Sequence, residues 1–368
     1  MPKPHTIEIK ANGQHALKFL AKGNGSQRRV KCGKCGTWAD RSILPHVRLK
    51  HPELWKDWTD DFVRLWNQGY SSRRIMTQYG RLFTWAIIEK ELRKIGTNDP
   101  KRLQVSKREI KEWRPSKRTF RLEKNTVWQF RRRGDWCLHS SEYRGNWAPQ
   151  IPRNLVIRFS KRGWRVLDPF VGGGTTAIEC ILEGRDFVGV DINPLAIQMT
   201  KAKIRIIRTL SRKSPDIFLP SCEAMIIEGD ARNLNFIEDQ SIDLICAHPP
   251  YADSLQYTDG VKADISQIHK IDEYCDAMKA VAEECYRVLK KNRICAVLIG
   301  DIRRRRTGEF VPLESLVCKK FLDAGFVLRD RIVKLQYKDK STAFYLDLSK
   351  QNRFLIAHEY LLIFKRTS

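Results

Sequence analysis

From Trp164 onward, short apolar runs of strand length alternate with longer segments whose apolar residues recur at helical spacing, and few folds accommodate that alternation. "WRVLDPF" reads as a strand, "TTAIECILEG" as a helix closing on Gly184, "DFVGVDI" as a strand and "NPLAIQMTKAKIRIIRTL" as a helix. "AMIIEGD", "SIDLICAH" and "RICAVLIGD" read as further strands, with "DEYCDAMKAVAEECYRVLKK" and "PLESLVCKKFLDAGF" as helices. The series predicts a doubly wound, Rossmann-like α/β sheet of parallel strands with helices on both faces. "VLRDRIVKLQY" and "HEYLLIFKR" follow with no helix between them, which predicts an antiparallel hairpin at one edge.

Ligands of such sheets bind at the carboxyl ends of the strands, and the unusual residues of this chain fall there. "DPFVGGGTT", Asp168 to Thr176, ends the first strand and opens a helix, so its glycines let a ligand approach the backbone and free N–H donors. Nineteen residues after Gly172, the second strand ends in Asp191, placed to accept from ribose hydroxyls. The turn lacks the G-x-G-x-x-G spacing of a pyrophosphate site, and an acidic residue there repels pyrophosphate. It suits an ammonium group and a positive sulfur, which points to S-adenosylmethionine.

The run "ICAHPPY" places His248, Pro249, Pro250 and Tyr251 at the carboxyl end of another strand. Together with "DPFVGGGTT", "GVDINP" and "EGDARN", it resembles the DNA amino-methyltransferases that modify adenine N6 or cytosine N4. "YRGNWAPQIPRNLVIRFS" looks like the cofactor-side segment of members whose cofactor half comes first, and the likeness runs from about Gly134 to Arg366. It implies an S-adenosylmethionine-dependent catalytic domain over 135–368, with Asp168, Phe170, Gly172 and Gly174 lining the cofactor. By the same likeness Asp191 holds the ribose, Asp230 and Ala231 flank the adenine, and His248 to Tyr251 form the catalytic elbow.

An exocyclic amine is a poor nucleophile because its lone pair is delocalised into the ring. Acceptors at the elbow can engage its N–H groups and localise that pair, while the prolines hold them still. Tyr251 then stacks on a base rotated out of the duplex. The family usually has Asp, Asn or Ser where this chain has His248. A neutral His accepts one hydrogen bond, and a doubly protonated one accepts none. The other reading of His248 is a satisfied strand-end histidine, with the Pro249 carbonyl acting alone. By resemblance, the absence of Asp leans towards cytosine N4 over adenine N6.

The chain carries 68 basic and 42 acidic residues, a net charge of +26, and the first 134 residues hold 32 of the basic and 12 of the acidic ones. An excess so concentrated suits a polyanion, with duplex DNA the leading partner. Within 1–58, Cys32, Cys35, His46 and His51 form a C-x2-C-x10-H-x4-H pattern that suits a structural zinc and resembles a two-Cys, two-His finger. Residues 59–96 carry helical periodicity broken at Gly69 and Gly80, which reads as a helix-turn-helix or as an ordinary three-helix bundle. Residues 97–134 read as a basic linker with interleaved aromatics that either tracks phosphates or wraps the next domain. The basic cluster in "LIGDIRRRR" reads as a phosphate contact or a solvated loop.

No stretch approaches the roughly eighteen consecutive apolar residues of a membrane span, and "MPKPHTIEIK" lacks a secretory signal, so the expectation is an intracellular, cytoplasmic protein. Ten cysteines, mostly single and in apolar contexts, suit reduced core thiols. Two rivals stand beside a DNA methyltransferase: a tRNA guanine N2 methyltransferase with a similar elbow, and a non-enzymatic DNA-binding regulator with a degenerate methyltransferase fold. The sequence leaves open whether a cognate restriction system accompanies the chain.

Overall fold

The computed structural model describes the strand backbones within residues 5–40, Lys50, Trp58, and residues 110, 112–140, 143, 145–213, 217–252, 263–304, 307–336 and 354–367. The chain divides into compact units 1–106 and 107–368. In the first unit β1 (His5–Lys10), β2 (Ala16–Lys22), β3 (Arg29–Lys31) and β4 (Trp38–Asp40) form a four-stranded antiparallel sheet in sequence order. β1 and β2 were not among the elements expected there, although "HTIEIK" has strand-like alternation. The proposed zinc ligands Cys32, Cys35, His46 and His51 and the helix-turn-helix segment 59–96 lie outside the described residues.

The second unit is built on an eight-stranded sheet. Its elements are β5 (Val127–Gln129), α1 (Gln150–Phe159), β6 (Arg165–Asp168), α2 (Thr175–Glu183), β7 (Asp186–Asp191), α3 (Pro194–Lys213), β8 (Ala224–Glu228) and β9 (Ile242–Ala247). α4 (Ile271–Val288), β10 (Leu289–Ile299), the small ribbon β11 (Ile302–Arg303) and β12 (Phe310–Val311), α5 (Leu313–Asp323), β13 (Phe326–Leu335) and β14 (His358–Arg366) follow. The strand order is β5-β13-β14-β10-β9-β6-β7-β8. β9 is buried at all six positions, as a central parallel strand covered on both sides requires. Gly184 ends α2 in a left-handed conformation at φ 69°, its N–H returning to the Cys180 and Ile181 carbonyls.

The chain winds outward from the centre in two directions, β6 to β7 to β8 and then β9 to β10. Right-handed crossovers therefore put α2 and α3 on one face and α4 on the other. Between β6 and β9 the winding reverses, which opens a crevice at their carboxyl ends. On the α4 and α5 side, Phe321 stacks on Phe364 with centroids 4.9 Å apart, and Phe326 and Tyr286 close the cluster. Each such buried ring contributes about 1.5–3 kcal/mol.

The terminal hairpin joins one side of the sheet as an antiparallel pair, β14 against β10 and β13 against β14, with a single short strand outside it. The edge is β5, parallel to β13, contributed by the segment read as a linker. That segment lies on the second unit from residue 112: the Arg114 guanidinium donates to Leu182 O at 2.6 Å, and Glu123 N–H to Asn154 Oδ1 at 2.8 Å. Of the two readings of that segment, wrapping the next domain is the one these contacts match, and the second compact unit begins at residue 107.

Candidate active site

A cleft opens at the reversal point, lined by the turn after β6, the ends of β7 and β9, and Tyr143, Asn146 and Trp147. Phe170, Gly172, Asp191, Asp230, Ala231, His248 and Pro250, all chosen from the sequence, line it. β6 and β9 pair with Leu167 opposite Ile245, so the glycine turn and the His-Pro-Pro-Tyr elbow emerge side by side.

The glycine turn is braced from several sides. Gly172 N–H donates to Asp191 Oδ2 at 2.8 Å, and Gly173 N–H to Asn146 Oδ1 at 3.1 Å. The Thr200 hydroxyl donates to Gly172 O at 3.0 Å, and Lys203 Nζ to Gly173 O at 2.7 Å. A Cβ on Gly172, at φ 49°, would meet the Tyr143 ring at 3.0 Å, and one on Gly173 would lie 2.5 Å from Asn146 Nδ2. A side chain at either position would therefore displace Tyr143 and Asn146 where they pack on the turn. Asn146 Nδ2 is buried without a hydrogen-bond partner, so a donor in the cleft wall is unspent.

Asp191 sits at the carboxyl end of β7 and accepts Asn193 N–H at 2.9 Å as well as Gly172 N–H. Burial raises its pKa to about 6 despite those N–H donors, so it is ionised at neutral pH with lone pairs left for hydroxyl donors. Asp230 is clamped by Arg232, whose Nη2 lies 2.6 Å from Oδ2, and Ala231 is buried beside it.

Asp168 and Gly174 depart from the expected role. Asp168 is 2% exposed and turned into the loop, accepting Phe170 N–H at 3.0 Å and the Thr176 hydroxyl. Burial pushes its pKa up to about 7. It is a brace beneath the turn, not a carboxylate facing a ligand. Gly174 is the N-cap of α2 at φ 78°, and a Cβ there would lie 2.8 Å from Thr200 Oγ1.

At the elbow, the His248 ring stacks on Trp147 at 5.7 Å and 18° and meets Tyr251 edge-on at 5.7 Å. Burial lowers its pKa to about 4, with Glu359 opposing and Lys334 and Arg133 reinforcing the shift, so the imidazole is neutral near pH 7. Among the described residues no hydrogen bond uses either His248 nitrogen or the Pro249 carbonyl. The Pro250 carbonyl accepts the Tyr274 hydroxyl at 2.9 Å, which fixes the elbow from below. Tyr251 donates to Glu359 Oε1 at 3.0 Å, and Lys334 Nζ lies 2.8 Å from Glu359 Oε2. Gly300 lets this happen, since a Cβ there would be 3.1 Å from the Tyr251 ring.

Tyr143, Asn146, Trp147, Lys334 and Glu359 were not singled out individually from the sequence. "YRGNWAP" carried a signal for the first three, an aromatic and polar cluster before a helix. Glu359 stands 108 residues from Tyr251 and carried none.

The sequence model of the DNA methylases of the N6/N4 type matches residues 64–202 and 242–368, more than half the chain. The chain belongs to this DNA methylase family. Among curated relatives, the chain is 30% identical over 166 residues to Type II methyltransferase M.MjaI of Methanocaldococcus jannaschii, covering 38% of this chain and 55% of that one. It is 31% identical over 123 residues to the tRNA (guanine(10)-N2)-dimethyltransferase of Methanothermobacter thermautotrophicus, covering 33% and 32%. Across the first relatives the matched stretch spans from a quarter to just over half of their length. A solved S-adenosylmethionine-dependent methyltransferase from Methanosarcina mazei superposes with a TM-score of 0.36 at 15% identity, over 58% of this chain and 96% of that one.

Among the described residues no group of side chains could hold a metal ion, and no helix is long and apolar enough to cross a membrane. The eight described cysteines are free, seven of them buried, as expected of reduced core thiols.

Proposed function

We propose that this DNA methylase transfers a methyl group from S-adenosylmethionine to the exocyclic amine of a base flipped out of duplex DNA, cytosine N4 in preference to adenine N6. The observation that carries the reading is His248, which lines the cleft with Gly172 and Asp191: its neutral imidazole and the Pro249 carbonyl next to it take no hydrogen bond from any described residue. Two acceptors match the two N–H groups of an amine, and Tyr251, oriented by Glu359, offers a stacking face. The cleft fits the cofactor: Asp191 for ribose hydroxyls, Ala231 and Phe170 as apolar walls for adenine, and the unspent Asn146 amide for a carboxylate. When bound, S-adenosylmethionine supplies the electrophilic methyl. His248 and Pro249 hold the amine and draw on its N–H groups, and no protein nucleophile is needed.

The choice of cytosine rests on His248 standing where adenine N6 members usually carry Asp. The cysteines and histidines at 32, 35, 46 and 51 enter the same proposal as a structural zinc finger that helps hold DNA. It predicts close to one zinc per chain by metal analysis, lost in Cys32→Ser; a zinc-free protein would refute it. A cytoplasmic location follows from the same reading.

The relative that acts on tRNA favours a second reading, guanine N2 methylation of RNA. Tritiated S-adenosylmethionine with duplex DNA and with tRNA in parallel separates the two. Label in DNA alone is expected. Label in tRNA alone would replace the proposal with the RNA reading, and label in neither would favour a non-enzymatic regulator.

A further inference from the structure

Helix α3 carries Lys201, Lys203, Arg205, Arg208, Arg212 and Lys213 and no acidic residue in its twenty positions. Lys203 is buried and serves the glycine turn. Lys201, Arg205, Arg208 and Arg212 follow one another at intervals of four, three and four, so they form one stripe along the helix. With Ala224 and Ile226 of β8, the outermost strand on that side among the described residues, they line an open groove. Arg208 donates to Cys222 O at 3.0 Å. Among the described residues, Lys201, Arg205 and Arg212 are exposed and pair with no carboxylate. α4, across the sheet, has the opposite character: Asp272, Glu273, Asp276, Glu283 and Glu284 against Lys279 and Arg287.

Unpaired cations in a row repel one another, and the arrangement is relieved when a polyanion lies along it. At about 1.5 Å per residue the stripe is about 16 Å long, and a B-form strand presents a phosphate about every 3.4 Å, so it spans about five phosphates of one strand. α3 starts at Pro194, next to Asn193 in the cleft wall, so the stripe lies about 10–27 Å along the helix from the cleft rim. A duplex with its target base in the cleft would need about eight further base pairs to reach Arg212.

We propose that the α3 stripe is a second nucleic-acid contact, which grips the phosphates of duplex DNA flanking the target base. This rests on the duplex reading of the cleft. The test is the full chain carrying Lys201→Gln, Arg205→Gln and Arg212→Gln together, all exposed positions, with Arg208 left in place. Binding to a 10-base-pair and a 40-base-pair duplex, lengths of order one and four helical turns, is followed by fluorescence anisotropy across a salt series. On the long duplex the slope of log K against log salt should become shallower by about 2.7, about 0.9 for each lost phosphate contact. On the short duplex, whose about five base pairs on either side of a central target meet Lys201 and Arg205 but stop short of Arg212, the slope should fall by less, about 1.8, and the rate of methyl transfer at saturating duplex should stay at the wild-type value.

An unchanged slope on the long duplex would reduce the stripe to a solvated face and overturn the proposal. Equal losses on both lengths would overturn it too, by placing the contact within the cleft's own footprint. With tRNA titrated in parallel, a loss confined to tRNA would overturn the assignment to duplex. Failure of the cleft reading is distinguishable, because wild-type chain would then methylate neither duplex while the slope difference could still be measured.

Discussion

Replacing Gly173 by Ala should loosen the cofactor cleft without unfolding the domain. Gly173 is not among the glycines with positive φ, so alanine meets no backbone penalty there and the effect is steric. The added Cβ would lie 2.5 Å from Asn146 Nδ2 and 2.7 Å from Tyr143 Cβ, where ordinary contact begins at 3.4 Å. The 143–147 segment must therefore retreat by about 0.9 Å, 3.4 less 2.5, and stretch the Gly173 N–H to Asn146 Oδ1 bond as it goes. Overpacking of this kind costs about 1–3 kcal/mol, which at about 1.4 kcal/mol per tenfold weakens cofactor binding by about five- to 150-fold if the cost falls on the bound state. Calorimetric titration with S-adenosylhomocysteine reads that change, and a thermal melt confirms that the variant is folded. A folded Gly173→Ala protein binding within twofold of wild type would show that Tyr143 and Asn146 do not form the cleft wall in solution.

Other perturbations probe other links. Glu179, fully buried, accepts Trp136 Nε1 at 2.7 Å, His139 Nε2 at 2.6 Å and Arg153 Nη1 at 2.7 Å, tying the segment before α1 to α2. Burial opposes its charge, but His139 and Arg153 outweigh that and hold its pKa below the usual value. Glu179→Gln should cost about 3–5 kcal/mol and lower Tm by roughly 10 °C, and a shift under about 2 °C in a thermal melt would refute this account of the node. Asp168, raised to about 7 by burial, binds more protons folded than unfolded, so its contribution to stability falls as pH rises from about 4 through 7. The Tm of Asp168→Asn relative to wild type should therefore climb between pH 5 and pH 8, and a constant difference would contradict the shift. Methyl transfer should be flat in His248's protonation from pH 6 to 8 and fail as pH falls through about 4, where the imidazole loses its acceptor. Glu359→Gln should move that limb lower and Lys334→Met should move it higher, opposite shifts that a merely structural role for the pair would not produce.

Much of the second unit could be read locally. Continuous apolar runs such as "DLICA" mark central parallel strands, and strand-end residues such as Asp191 and His248 carry their position with them. What escaped was non-local. Nothing within "HEYLLIFKR" says that its strand slides between β10 and β13, because the order of strands in a sheet is set by pairing across the chain. β5 is three residues in a basic, aromatic stretch, too short for periodicity to register. The inward turn of Asp168 depends on a rotamer and on Thr176, eight residues later in the first turn of α2. Glu359 entered the site through the β13 and β14 register, which puts Lys334 opposite it, and its carboxylate accepts from both Lys334 and Tyr251.

The central claim is that the Asp191 cleft and the His248 elbow are one site for methyl transfer to an exocyclic amine. The most direct test is to incubate the chain with S-adenosylmethionine bearing a deuterated methyl group and mixed-sequence duplex DNA, then digest to nucleosides and locate the label by mass spectrometry. The account predicts deuterated N4-methylcytosine, absent with His248→Ala. Label on a ring carbon, such as C5 of cytosine, or on no base at all would contradict it.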